Sequence, residues 1–166
     1  MVNPDRGAAW IVAAETPDPE LPWLTIEDLG ILRAVHEQAG SAVAIITPTY
    51  SGCPAMREIS QDVRHRLERA GYRDVEVRAQ LAPAWTSDWI TADGRRKLEA
   101  AGIGAPPAVP RRTGPIPLTL GPRAAVTCPR CGSRDTVETA AFSSTACKSL
   151  HRCAQCHEPF EAVKPL

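Results

Sequence analysis

The chain has 166 residues, 43% of them apolar but only 5% aromatic, with 19 basic and 19 acidic residues and a formal net charge of zero. That length fits one ordinary domain plus a small appendage, with aliphatic side chains filling the core. The charge balance excludes the basic footprint of a dedicated nucleic-acid binder, and no apolar run approaches the roughly 20 residues of a membrane span.

Residues 8–14 (AAWIVAA) are too short, and lack the basic flank, for a secretion signal, so the chain is expected in the cytoplasm. The cysteines are Cys53, Cys128, Cys131, Cys147, Cys153 and Cys156. In a reducing compartment, cysteine pairs point to metal or redox chemistry before disulfides.

Residues 8–15 fit a short helix with Trp10 and Ile11 available to pack. Thr16-Pro17-Asp18-Pro19-Glu20-Leu21-Pro22 forbids a regular helix or a central strand. On residue types alone it is a polar turn that presents Asp18 and Glu20 as exposed carboxylates. Thr25, with Asp28 three residues on, approximates a capping box, and Gly30 stops that turn. Residues 31–37 alternate as a strand, and the Gly40 segment is a hairpin turn. Residues 42–47 (AVAIIT) form a continuous apolar run, expected to be a strand buried on both faces.

Thr47-Pro48-Thr49-Tyr50-Ser51-Gly52-Cys53-Pro54 leads from that strand into a helix. Pro54 fits its first position, Met56, Ile59, Val63 and Leu67 recur at helical spacing, and Gly71 ends it. Val75, Val77 and Ala79 alternate in a third strand. Trp85 and Trp89 lie in a loop folding back over the sheet edge, expected as satellite core rather than an interface. Thr91 or Asp93 caps a short helix over 94–101, ended by Gly102. The order of elements predicts an α+β protein whose first module is a small α/β sandwich, a mixed sheet with helices packed on it. Six prolines between Gly104 and Pro122 mark a linker. The expected organisation is a first module over 1–104, a proline-rich linker over 105–125 and a cysteine module over 126–166.

In the last module, Cys128-Pro-Arg-Cys131-Gly and Cys153-Ala-Gln-Cys156-His form two knuckles about twenty residues apart. Each turn aims two sulfurs at one point, and four thiolates close a tetrahedron suited to zinc. This is similar to a zinc ribbon, with strands expected over 136–142 and 150–153. With all four positions filled, the metal is structural rather than catalytic; a rubredoxin-like iron site has the same ligand set. Some forty residues cannot bury enough apolar surface to fold alone, so the metal supplies folding energy. Cys147 is either a buried or free thiol or an extra ligand or redox partner. His151 and His157 are alternative ligands that four cysteines make unnecessary.

Cys53 has three readings by spacing. It is a small apolar filler at a turn, a nucleophile without a visible base, or a soft ligand for iron or an iron–sulfur cluster. A single thiolate holds a cluster only transiently, or shares it with a partner or a second copy, so a homodimer is allowed.

Asp18-Pro-Glu20-Leu-Pro22, Leu29-Gly30 and Ile45 through Pro54 resemble the signature of the MIP18, or DUF59, iron–sulfur-assembly family, over about Pro17 to Leu81. More narrowly, Thr47–Met56 with Leu81-Ala-Pro-Ala-Trp-Thr-Ser-Asp-Trp-Ile90 resembles the D components of phenylacetyl-CoA epoxidase systems. Phe142-Ser-Ser-Thr-Ala-Cys-Lys148 and Cys153-Ala-Gln-Cys-His-Glu-Pro-Phe160 extend that likeness to nearly the whole chain. The resemblance implies an accessory subunit of phenylacetate degradation, not an enzyme. The catalytic di-iron site would lie on another component, and electrons would come from a reductase carrying flavin and a 2Fe–2S cluster. The D component would help assemble or repair a metal centre, most directly the reductase's cluster. It also implies that Cys53, Asp18, Glu20, Thr47 and Thr49 share a pocket for iron or a transient cluster, beside a structural zinc on Cys128, Cys131, Cys153 and Cys156. Partners would be the epoxidase components, with no nucleic acid and no membrane. The alternative is an adaptor without metal at Cys53 that docks those components. Relatives of this type are expected to end in Phe-Lys-Cys, whereas this sequence reads Val163-Lys164-Pro165-Leu166, so no role for a terminal thiol carries over.

Overall fold

The structure is a computed structural model and describes residues 6–107 and 125–166. Most of the expected linker lies outside them. The chain divides into two compact units between Gly94 and Arg95, ahead of residue 104 where the first module was expected to close.

The first unit begins with α1 (Ala8–Ala14), which buries the small side chains Ala9, Ala13 and Ala14. An irregular segment follows, then β1 (Leu32–Gln38) and β2 (Ser41–Ile46) as an antiparallel hairpin. Its two-residue turn is Ala39-Gly40, both at positive φ, the left-handed geometry that matches strand twist. A long loop leads to α2 (Ala55–Arg69), and β3 (Asp74–Ala79) returns parallel to β2. The sheet order is β1-β2-β3.

Sequence periodicity explains this packing. In α2, Ala55, Ile59, Val63 and Leu67 are buried four residues apart on one stripe. Burying each of the three large ones stabilises the fold by roughly 1.5–3 kcal/mol. Two details differ from expectation. Pro54 is the N-cap, one residue before the helix, and Ala55 takes the buried place expected for Met56, which is half-buried. Gly71, at φ 102°, follows the helix end as expected.

β2 also corrects its expectation. Only Ala42, Ala44 and Ile46 are buried, while Ser41, Val43 and Ile45 are half-buried. An apolar run signals a central strand, and β2 is central; it does not say that both faces are covered. In β1 the alternation breaks, because the pairing slips between Leu32 and Ala34 and leaves Arg33 as a bulge.

Trp85 is buried, and its indole N–H donates to the Leu29 carbonyl at 2.9 Å. Trp89 is half-buried at the end of a 3-10 turn, Ser87–Trp89. A side chain at Gly30, which has φ 67°, would strike the Trp89 backbone. Thr91 caps α3 (Ala92–Ala100) by accepting from the Gly94 N–H at 2.9 Å.

In the second unit β4 (Thr136–Ala140), β5 (Lys148–Cys153) and β6 (Pro159–Val163) form an antiparallel sheet in sequence order. β6 was not foreseen; its signal, apolar at Phe160, Ala162 and Val163, is short and opens on a proline. Gly104 bridges in parallel to Ala162: its N–H donates to the Glu161 carbonyl and its own carbonyl accepts from the Val163 N–H. Val126, Cys128, Cys153, Phe160 and Ala162 form a small buried cluster. Among the described residues no helix is long and apolar enough to cross a membrane.

Candidate functional site

Two sets of residues were expected to carry chemistry, and the fold treats them differently. The ribbon cysteines converge. The sulfurs of Cys128, Cys131, Cys153 and Cys156 all lie within 4.8 Å of one another. Cys128 and Cys156 are 3.7 Å apart, and Cys131 and Cys153 are 3.6 Å apart. Four sulfurs each about 2.3 Å from one zinc would stand about 3.8 Å from each other, so the present residues fit a tetrahedral metal.

The knuckles share one construction. In the first, the Gly132 N–H donates to the Cys128 carbonyl at 2.9 Å and Gly132 takes φ 74°. In the second, His157 occupies the matching position after Cys156 at φ 61°. His157 is therefore a turn residue rather than a ligand. His151 is not a ligand either: it stacks on Phe160 and shares a hydrogen bond with Ser149 Oγ at 2.9 Å. Cys147 stays outside the four-sulfur group, with its sulfur 3.1 Å from Thr145 Oγ1.

The thiols differ in acidity. The Cys156 amide, helped by Gln155, draws Cys153 down to about 7. At Cys131 the Ser133 amide acts in the same direction, but desolvation and the other three thiols outweigh it and push the group up to about 12. Four thiols crowded together cannot all ionise without a cation, and a bound metal displaces their protons.

The Cys53 region is organised by backbone. Thr47 N–H donates to Ile31 O at 2.8 Å, Ile31 N–H to Ile26 O at 2.9 Å, and Ile26 N–H to Thr16 O at 2.9 Å. These bonds lay the Asp18-bearing segment beside the strand end that carries Thr47. Asp18 departs from the exposed-turn expectation. It is buried, and its Oδ1 accepts from the amides of Glu20 at 3.0 Å and Leu21 at 2.9 Å. The prolines on either side force the chain to turn there, and the carboxylate satisfies the amides that the turn frees. Glu20 is exposed, Thr49 and Cys53 are half-buried, and Thr47 is 1% exposed. Cys53 closes a turn through its N–H to Tyr50 O at 3.1 Å, one residue before the Pro54 cap.

Among the described residues Cys53, Asp18 and Glu20 do not form a three-ligand cluster like that of the ribbon. What marks the region is unsatisfied polarity. The Thr47 and Thr16 hydroxyls are both buried and, among the described residues, have no hydrogen-bond partner. Thr16 lay in the proline-rich segment, but nothing in its residue type signalled this role. Thr25 and Asp28 brace the segment from the other side with reciprocal hydrogen bonds of 3.0 and 3.1 Å, the predicted capping box.

Known proteins match both regions. The iron–sulfur cluster assembly protein family matches residues 14–79, and the PaaD zinc beta ribbon domain matches residues 112–164. A protein of Escherichia coli assigned as the D component of 1,2-phenylacetyl-CoA epoxidase is 43% identical over 99% of this chain and 95% of its own length. The chain belongs to the PaaD-type family of phenylacetyl-CoA epoxidase components. An Fe-S protein maturation auxiliary factor of Porphyromonas gingivalis is 31% identical over 49% of this chain and 78% of its own. The crystal structure of a domain of unknown function DUF59 from Bacillus anthracis superposes with a TM-score of 0.50 at 26% identity, covering 54% of this chain and 87% of that one. The PaaD-type chain thus joins an iron–sulfur-assembly domain to a zinc-ribbon domain whose four cysteines cluster.

Proposed function

We propose that this chain is a non-catalytic accessory subunit of a cytoplasmic phenylacetyl-CoA epoxidase system. It assists the assembly or repair of an iron–sulfur or iron centre, with the reductase as client. The observation that carries this is the whole-length similarity to an epoxidase D component, with the assembly-family match spanning Asp18 through Cys53. Cys53 is the soft ligand, holding iron or a cluster only long enough to pass it on. The buried Thr47 hydroxyl, which has no partner among the described residues, supports a polar guest beside it. Asp18 fixes its turn through its amide bonds, and this reading assigns Glu20 and Thr49 to the rim of the same pocket. The ribbon holds structural zinc on its four cysteines, a closed site that leaves no position for substrate.

Cys53→Ala, made in a strain that co-expresses the reductase, is expected to leave folding and zinc content intact and to lower cluster occupancy of the reductase. Iron and sulfide analysis after anaerobic purification reads this directly. Full occupancy with the variant would sink the carrier role. An adaptor role is the second reading, favoured by exposed Val137 and Phe142 and a cavity of about 740 Å³ on the ribbon unit. It predicts tight binding to epoxidase components that does not depend on Cys53.

A further inference from the structure

The first unit's sheet has two edges, and they are finished differently. At β3 the edge is blocked: the Arg64 guanidinium donates to the Val75 carbonyl at 2.6 Å, and Glu76 pairs with Arg78 at 2.6 Å. Charge and a capped carbonyl are the ordinary defences of an edge strand. At β1 the backbone of residues 33–38 has, among the described residues, no hydrogen-bond partner except β2. Half of its amides and carbonyls therefore face outward unpaired.

A groove of about 470 Å³ runs along this edge. Leu32, Arg33, Ala34, Val35 and His36 all line it. Side chains alternate between sheet faces, so a depression on one face would touch only every second residue. The bulge displaces Arg33, but beyond it Ala34, Val35 and His36 still line the groove in succession, which sets it along the strand's side, beside its backbone.

The groove is walled by two tryptophans. The Arg33 guanidinium lies 3.4 Å from the Trp89 ring centre and Arg6 lies 4.7 Å from the Trp10 ring centre. Arg6 is neutralised by Glu27. Arg33 meets no carboxylate among the described residues; its one polar contact there is a 3.4 Å bond to the Gly30 carbonyl. Its place on the β-bulge turns it out of the regular alternation. The groove thus combines an unpaired backbone edge, aromatic walls and one uncompensated cation.

We propose that the β1 edge is a docking strand, and that its occupant is an extended acidic segment of a partner protein. The segment adds antiparallel or parallel to β1 through backbone hydrogen bonds, and places a carboxylate on Arg33 where the guanidinium stacks on Trp89. Cys53 does not line this groove, and the proposal does not depend on what that thiol binds.

The test uses the full chain and two short extended peptides, one alternating valine with glutamate and one alternating valine with lysine. Amide and indole NMR signals are followed during titration. The glutamate peptide is expected to give saturable shifts confined to residues 32–36 and the Trp10 and Trp89 indoles. Arg33→Glu is expected to weaken that binding at least about tenfold, or about 1.4 kcal/mol, and to favour the lysine peptide. Arg33→Lys should retain part of the affinity, which a merely misfolded edge would not. The proposal is overturned if neither peptide saturates, if both bind alike, or if Arg33→Glu binds the glutamate peptide unchanged. It is equally overturned if the same signals shift with protein concentration alone, because the edge then receives a second copy.

Discussion

The ribbon and the Cys53 loop both centre on cysteine, but among the described residues only the ribbon gathers a set of ligating side chains. In the ribbon, four sulfurs 3.6 to 3.7 Å apart across the knuckles leave a gap of the size a tetrahedral metal needs. The assembly-family segment supplies one thiol at Cys53, the Asp18 carboxylate already engaged by two amides, and the Thr16 and Thr47 hydroxyls, buried without a hydrogen-bond partner among the described residues. A closed set of ligands is a structural device, and an incomplete set is suited to a guest that leaves. The difference also predicts where stability resides: in the metal for the second unit, and in an aliphatic core for the first.

The largest expected effect follows from this. Stripping metal with a chelator, or making Cys128→Ser, should unfold the ribbon, since metal binding at such sites is worth on the order of 10 kcal/mol. The amide signals of β4 to β6 should collapse while those of β1 to β3 persist. Acid should act in the same direction, because metal binding requires the thiols to lose protons, so retention must fall as pH falls. Loss of both units together would show that the first unit leans on the ribbon and would break the comparison.

Lys148 and Glu161 give the next effect, again in the ribbon. Lys148 is 4% exposed and its Nζ lies 2.8 Å from Glu161 Oε2. Desolvation opposes ionisation of Glu161, but hydrogen bonds from Lys148, Ser143 and Ser144 prevail and hold its pKa down at about 2. A carboxylate with a depressed folded pKa stabilises above its ordinary value of 4.5 and loses that contribution as pH falls toward about 2. Discounted for partial solvent screening, the contribution is roughly 1 to 2 kcal/mol. Glu161→Gln strands a buried ammonium and should cost more, about 3 kcal/mol. Thermal unfolding of the metal-loaded chain at neutral pH compares the two, and an unchanged ribbon transition in the variant would show that the ion pair is dispensable.

How legible each region was depends on how local its rule is. Cys128-x-x-Cys131 and Cys153-x-x-Cys156 could be read directly, because each knuckle turns on its own few residues. The same holds for the Ala39-Gly40 hairpin turn, the α2 stripe and the Thr25–Asp28 box. What could not be read is set by partners distant in sequence. The half-exposed face of β2 depends on what covers the sheet. Burial of Asp18 depends on the turn and on the Thr16-to-Thr47 hydrogen-bond relay. The Arg33 bulge depends on the register against Ile45 and Ile46. Cys53 stands between these cases. Its turn into a helix was legible, but only the family resemblance joined it to Asp18.

The smallest effect concerns that join. Thr25 and Asp28 exchange bonds across the segment that follows Asp18, and Thr91 Oγ1 also reaches Asp28 Oδ1 at 3.5 Å. Thr25→Ala removes the acceptor for the Asp28 amide and should destabilise the first unit by about 1 kcal/mol, the usual worth of a cap. That corresponds to a fall of roughly 4–8 °C in the unfolding temperature of a unit of this size. The ribbon should be unaffected, since nothing in its metal cluster or its ion pair involves this segment. The informative readout is local: amide exchange at Leu24, Ile26 and Ile31, whose bonds form or adjoin the relay to Thr47. If the relay loosens together with the box, the Asp18 segment and the Thr47 strand end move as one body, and the rigid side of the Cys53 region extends back to Thr25. If exchange rises at Thr25 alone, the two sides are held independently, and the segment bearing Asp18 can move relative to Cys53 as a guest arrives or departs.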